Sequence, residues 1–296
     1  MKKYRNIIII ADIEGSSGWW DYSASSFRTP SWPEACRHMT LDVRAVTDSL
    51  LDEGVNSVMV KDFHRTGYNI FPELLDKRVK LIPGYIKGPV PGLGDPRGAD
   101  ALIMTGMHAP SGSEGFLAHT LTSRISLLTV NGEIVSEAQL FSSSLARYGV
   151  RPVLFSGCPV ACRYAKKAMG FIDAYSIDKS GGPGSVNTEK WRAGLAIAAR
   201  HSLGNRRAEI YMIKGPFDVA MTMRDGEAAA GKIAKRWKLS SRDDTVYFSA
   251  GTFDSLYMQL IRCCYLTPAL EKFLGAGIGL YNFYGRLGLM WARRHI

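Results

Sequence analysis

Cysteine is scarce in this chain of 296 residues, which has five in all: Cys36, Cys158, Cys162, Cys263 and Cys264. That odd and mostly scattered set excludes a disulfide scaffold, and neither the C-x3-C pair nor the adjacent pair has the spacing of a structural zinc site. Reduced thiols and a cytoplasmic setting are expected. No tract of five like charges occurs, although 37 Lys and Arg against 27 Asp and Glu give a net charge of +10. The excess is spread out and lacks an aromatic-interleaved recognition motif, so it reads as a solvated basic surface and not as a nucleic-acid site. Long apolar runs are missing as well. The run at residues 7–11 follows a basic start but meets Asp12 and Glu14, too soon for the apolar core of a signal peptide. Residues 273–292 alone are long enough to raise a membrane question, and Asn282, Arg286 and five glycines interrupt them. A docked tail or subunit-contact surface is expected there, with a membrane-associated end as the alternative. There is no Gly-x-Ser-x-Gly context for a serine nucleophile, and Gly181-Gly182-Pro183-Gly184 lacks the Lys and Ser/Thr of a phosphate loop.

What is present is an ordinary globular composition, 46% hydrophobic and 22% charged, with enough apolar surface to offset the entropy of ordering. Residues 7–12 form an apolar run ending in acid, as a buried parallel strand does. A Ser, Pro and aromatic loop at 19–33 precedes helical spacing at Met39, Val43, Val46 and Leu50, and a strand at 57–61 completes a βαβ unit. A Pro- and Gly-rich connection, 82–98, leads to a strand at 100–105. Residues 125–135 predict a hairpin turning at Asn131-Gly132, and 136–148 a helix. Strand, helix and strand follow at 152–155, 159–168 and 171–177 before the break at 181–184. Beyond it, helices at 188–201, 226–237 and 253–266 alternate with strands at 209–214, 217–222 and 245–250. The expected fold is α/β, a mostly parallel sheet flanked by helices with a C-terminal α/β section. Its division is 1–180 as a metal-binding core and 181–296 as a section packed on it and used in oligomer contacts.

The residues able to carry chemistry follow the apolar runs: Asp12 and Glu14, Asp62 and His64, His108, and Glu137 after the hairpin. In an open parallel sheet the carboxyl ends of the strands gather along one edge, where residues distant in sequence can converge. Period-two geometry puts Asp12 and Glu14 on one side of an extended chain. Mixed imidazole and carboxylate donors favour zinc or another first-row divalent ion, and a bridging carboxylate permits two ions. Asp62 is the expected acceptor orienting the His64 ring. Taken singly, each of these residues also reads as a loop or helix-capping residue.

Ala11-Asp12-Ile13-Glu14-Gly15, Lys61-Asp62-Phe63-His64, Gly106-Met107-His108-Ala109, Ala118-His119-Thr120 and the segment Asn131 to Glu137 occur in an order that resembles the D-aminopeptidase family of dinuclear zinc peptidases. The resemblance implies an α/β core assembling into homo-oligomeric rings, and two zinc ions bridged by Asp12. Glu14 and His64 would complete one site, His108 and Glu137 the other, with His119 as the catalytic histidine. It further implies release of amino-terminal residues from small peptides, including peptides of D-amino acids. Ser136 stands where the family usually has glycine, Cys158 where an acid is common, and the aromatic loop at 19–32 is individual; these leave the substrate open. A dinuclear phosphoesterase would use the same donors and suit the positive charge, and a non-catalytic binding protein could keep the fold.

Overall fold

A computed structural model describes residues 4–18 and 20–296; Met1 to Lys3 of the basic start, and Trp19 of the aromatic loop, lie outside the described residues. The chain runs β1 (Asn6–Ala11), α1 (Trp32–Asp52), β2 (Ser57–Asp62), β3 (Val79–Ile82), β4 (Ala101–Met107), β5 (Ile125–Val130), β6 (Glu133–Ile134), α2 (Glu137–Ala146), β7 (Arg151–Gly157), α3 (Pro159–Ala168) and β8 (Asp173–Ser176). It continues through α4 (Thr188–Ser202), β9 (Phe217–Met223), α5 (Glu227–Trp237), β10 (Ser240–Arg242), β11 (Thr245–Ala250), α6 (Phe253–Tyr265), α7 (Pro268–Lys272) and α8 (Leu274–Ala292). Six strands form a parallel sheet in the order β3-β2-β1-β4-β7-β8. The fold is therefore α/β, and its sheet is buried on both faces, as parallel strands require. β1 shows this directly: Ile7 and Ile9 pack with Val43 and Val46 of α1 and Leu195 of α4, whereas Ile8 and Ile10 pack with Phe141 of α2 and Ala161 of α3.

The second sheet is antiparallel, in the order β10-β11-β9-β5-β6, and packs with α5 and α6 through residues such as Leu128, Met221, Ile233 and Leu256. It joins strands from both sides of residue 180, while α4 and α8 return to the first sheet through Trp191, Leu195, Leu289 and Ala292. The hairpin turns at Asn131-Gly132, whose φ angles of +54° and +80° suit the tight turn that follows right-handed strand twist.

Three expectations change. Residues 209–214 are not a strand: Ile210 and Met212 are exposed, and Ile213 N–H donates to Ser143 Oγ of α2, so the segment crosses a helix instead of joining a sheet. β3 arises just before the connection that starts at 82, a short edge strand whose Lys80 hides its pattern. α1 begins at Trp32, inside the expected loop, with Pro33 in its first turn where a missing N–H does no harm. Among the described residues no helix is long and apolar enough to cross a membrane.

Candidate metal centre

β2, β1 and β4 are adjacent in the first sheet; Asp12, Glu14, His64 and His108 leave its centre just past their carboxyl ends, His119 lies further along the loop after β4, and Glu137 opens α2. The loop beyond β1 touches the end of β4 backbone to backbone: Gly15 N–H donates to Gly106 O at 2.7 Å and Asp12 N–H to Thr105 O at 3.0 Å. A Cβ at either Gly15 or Gly106 would overlap the opposing backbone, so glycine is what lets the loop close on the strand. β1 ends at Ala11, Asp12 follows it directly, and Glu14 sits in a turn closed by Ser16 N–H on Ile13 O. The turn, not strand alternation, brings both carboxylates to one side.

All the acids and imidazoles singled out in sequence except Asp62 meet there, buried except for His119, which is partly buried. His64 Nδ1 lies 3.0 Å from Asp12 Oδ1 and 2.9 Å from Glu14 Oε2. His108 Nε2 lies 3.5 Å from Asp12 Oδ2 and 3.4 Å from Glu137 Oε1. Asp12 thus offers one oxygen to each half. Two groups have ligand atoms within 4.8 Å of one another, Asp12 with Glu14 and His64, and His108 with His119 and Glu137. The rings of His108 and His119 stack at 3.7 Å, 10° from parallel.

Each imidazole has one nitrogen held by a backbone carbonyl, an acceptor only, which fixes its hydrogen there and turns the other nitrogen inward. His64 Nε2–H donates to Ser25 O at 2.8 Å, His108 Nδ1–H to Ala109 O at 3.0 Å, and His119 Nδ1–H to Leu117 O at 2.8 Å. Asp62 does not take the His64 ring. Its oxygens accept from Asn69 N and Nδ2 and from His64 N, so it shapes the turn after β2. The ring's acceptor is a main-chain carbonyl in the aromatic loop, for which no side chain gives a signal. Lys179, to which the sequence assigns no role, donates from Nζ to Glu14 O and Ser16 O at 2.8 Å each and so ties down the acidic turn. The departures at Ser136 and Cys158 are both helix caps: Ser136 makes a reciprocal capping box with Gln139 on α2, and Cys158 Sγ accepts from Ala161 N on α3.

The electrostatics are those of a cation site. Burial opposes charge on every group, yet Glu14 beside it holds His64 well above the ordinary histidine value, and Glu137 holds His108 up at about 10. Burial, then the charge of Glu14, raises Asp12; burial also pushes Glu14 up, but His64, Asp12 and His108 together outweigh it and keep Glu14 low. His119 goes the other way, lowered to about 4 by burial and by His108. Glu14 Oε2 and His108 Nε2 are buried without a directed hydrogen bond. Buried acceptors facing inward imidazole nitrogens are what a divalent cation would satisfy, and this donor set fits one or two first-row ions.

The D-aminopeptidase family profile matches residues 5–261. A D-aminopeptidase of Bacillus subtilis (strain 168) is 26% identical over 183 residues, 61% of this chain. The match spans 64% of that relative's own length. In fold the chain is similar to the Zn-dependent D-aminopeptidase DppA from Bacillus subtilis, a self-compartmentalizing protease, with a TM-score of 0.78 and 17% identity over 87% of this chain and 96% of that one.

Proposed function

Because the chain belongs to the D-aminopeptidase family, we propose that it is a metallo-aminopeptidase that hydrolyses amino-terminal residues from small peptides, D-amino-acid peptides included. The observation that carries this is the sharing of Asp12, whose two oxygens face His64 and His108 from the middle of one buried cluster. Asp12, Glu14 and His64 would hold one zinc ion, and Asp12, His108 and Glu137 the other. Zinc supplies Lewis acidity, lowering the pKa of water toward neutral and polarising the peptide carbonyl. The chain's own contribution is positional and protonic. His119 is neutral at pH 7, and with its Nδ1–H on Leu117 O it turns Nε2 toward the cluster as a proton acceptor. It would take a proton during attack and return it to the leaving amine. Leu121 N–H, on Glu137 Oε1 at 2.6 Å, holds that carboxylate in place, and Lys179 does the same for the turn carrying Glu14.

The family and the description of DppA as self-compartmentalizing support a homo-oligomer, with residues 181–296 supplying subunit contacts around a metal-binding core at 1–180. Five free cysteines accord with the cytoplasm. The test is metal analysis of protein purified without chelator, followed by assay on D- and L-amino-terminal peptides beside a phosphodiester. Two zinc equivalents and peptide cleavage are expected. Phosphodiester turnover without cleavage of any peptide would transfer the centre to phosphoryl chemistry.

A further inference from the structure

The family match ends at residue 261, and α7 and α8 lie wholly beyond it. α8 nevertheless reaches toward the metal centre twice. Its buried Gly285 and Gly288 allow close approach: a Cβ at Gly288 would overlap the Phe27 ring, and one at Gly285 the side chains of Tyr68 and Thr66. Tyr284 lies on Phe27 with ring centroids 4.6 Å apart, and Phe27 also meets Trp32 at 4.8 Å. Phe27 is two residues from Ser25, whose carbonyl receives His64 Nε2–H. Between them the loop is laced by its own hydroxyls, with Ser25 Oγ and Ser26 Oγ both on Tyr22 O and Thr29 Oγ1 on Ser26 O. Phe27 and Ser25 thus belong to one short, internally bonded loop.

The second reach is through Asn282. Its Oδ1 accepts from Tyr85 N at 2.8 Å and its Nδ2 donates to Tyr85 O at 2.9 Å. Tyr85 in turn donates from its hydroxyl to Phe63 O at 3.4 Å and sets its ring against that of Phe63 at 5.7 Å. Phe63 immediately precedes His64, so α8 braces this histidine from both sides.

We propose that α8 is a positioning element for the metal centre, fixing the His64 ring through Tyr284, Phe27 and Ser25 on one side and through Asn282, Tyr85 and Phe63 on the other. The proposal rests on the reading of His64 as a ligand. An imidazole whose outer nitrogen loses its acceptor is free to turn, and outer partners of this kind change metal affinity about 10–100-fold.

The test uses the full-length protein as Tyr284→Ala, Asn282→Ala and their double variant, with Tyr284→Phe to restore the ring. Metal-free protein is titrated with zinc against a chromophoric chelator, with circular dichroism to verify folding. One of the two equivalents should bind 10–100-fold more weakly in the alanine variants, the other should be unchanged, and Tyr284→Phe should match the wild type. Wild-type affinity for both equivalents in the folded alanine variants would overturn the proposal; if the double variant does not fold, Asn282→Ala carries the decision. Absence of zinc binding in the wild type would instead remove the metal reading. The His64 Nε2–H signal in nitrogen-15 histidine spectra of metal-free protein then decides: protected in wild type and lost in the alanine variants supports the brace, equal in both overturns it.

Discussion

His108 and His119 lie ring on ring, yet their neighbours shift them in opposite directions, which suits the two roles proposed above. His108 Nε2 faces two carboxylates, whereas His119 is desolvated beside a positively inclined ring and stays neutral. His119→Ala should consequently keep both metal equivalents while turnover falls about 10²–10⁴-fold, the usual range for a general acid–base group. His64→Ala should lose metal before it loses anything else; elemental analysis beside kcat separates the two, and a His119→Ala enzyme with near-normal kcat would make that ring a mere loop contact. The same electrostatics dictate how metal uptake depends on pH. In the metal-free cluster the carboxylates outweigh burial and keep His64 and His108 protonated at pH 7, His108 up to about pH 10. A ring can bind a cation only after losing that proton, so each zinc expels one, and apparent affinity rises with pH by about tenfold per unit for every proton displaced. His119, with its value at about 4, releases none at neutral pH. Calorimetric titration with zinc in buffers of different ionisation enthalpy should report release of about two imidazole protons per two ions; a buffer-independent heat would contradict the assignment.

At the level of elements, the centre depends on where strands and helices begin and end. Glu137 is the first residue of α2, and Ser136 before it caps the helix by a reciprocal bond with Gln139. Ser136→Ala should therefore lower unfolding stability by about 1 kcal/mol, read as a shift of the denaturant midpoint with unchanged slope; an unshifted midpoint would mean that Gln139 alone holds the cap. Much of this level was legible in the sequence because apolar runs ending in acid or histidine are what parallel strands leave at a sheet edge, and because Asn131-Gly132 specifies one kind of turn. That β2, β1 and β4 are neighbours was not legible, since spacing carries no strand order. Nor was the acceptor for His64, a backbone carbonyl from a loop known in sequence only by its aromatic and small side chains. Residues 209–214 misled because a short continuous apolar run reads as a strand equally well when no partner strand exists. Asp62 was found at the right turn but given the wrong bond: its oxygens answer local N–H groups before they can reach a ring.

At the scale of the whole molecule, the two faces of α8 have separable consequences. Toward the core it presents Gly285, Gly288, Leu289 and Ala292, all buried. Away from it, Leu280, Phe283, Leu287 and Met290 recur every three or four residues with exposures of 71%, 56%, 47% and 44%, one apolar stripe along the helix. A continuous apolar stripe on a globular chain marks an interaction surface, and subunit contact is the use that accords with the homo-oligomer proposed above. Light scattering at micromolar concentration should accordingly give a multiple of the 32.6 kDa chain mass. The paired substitution Leu280→Glu and Leu287→Glu should bring that mass down, because two buried carboxylates facing an apolar partner are disfavoured by several kcal/mol. A wild-type mass equal to one chain would remove the oligomer, and a double variant of unchanged mass would move the contact to another surface. Since neither substitution touches the inward face, the dissociated variant should still take up zinc with wild-type affinity, which separates loss of assembly from loss of the brace on His64.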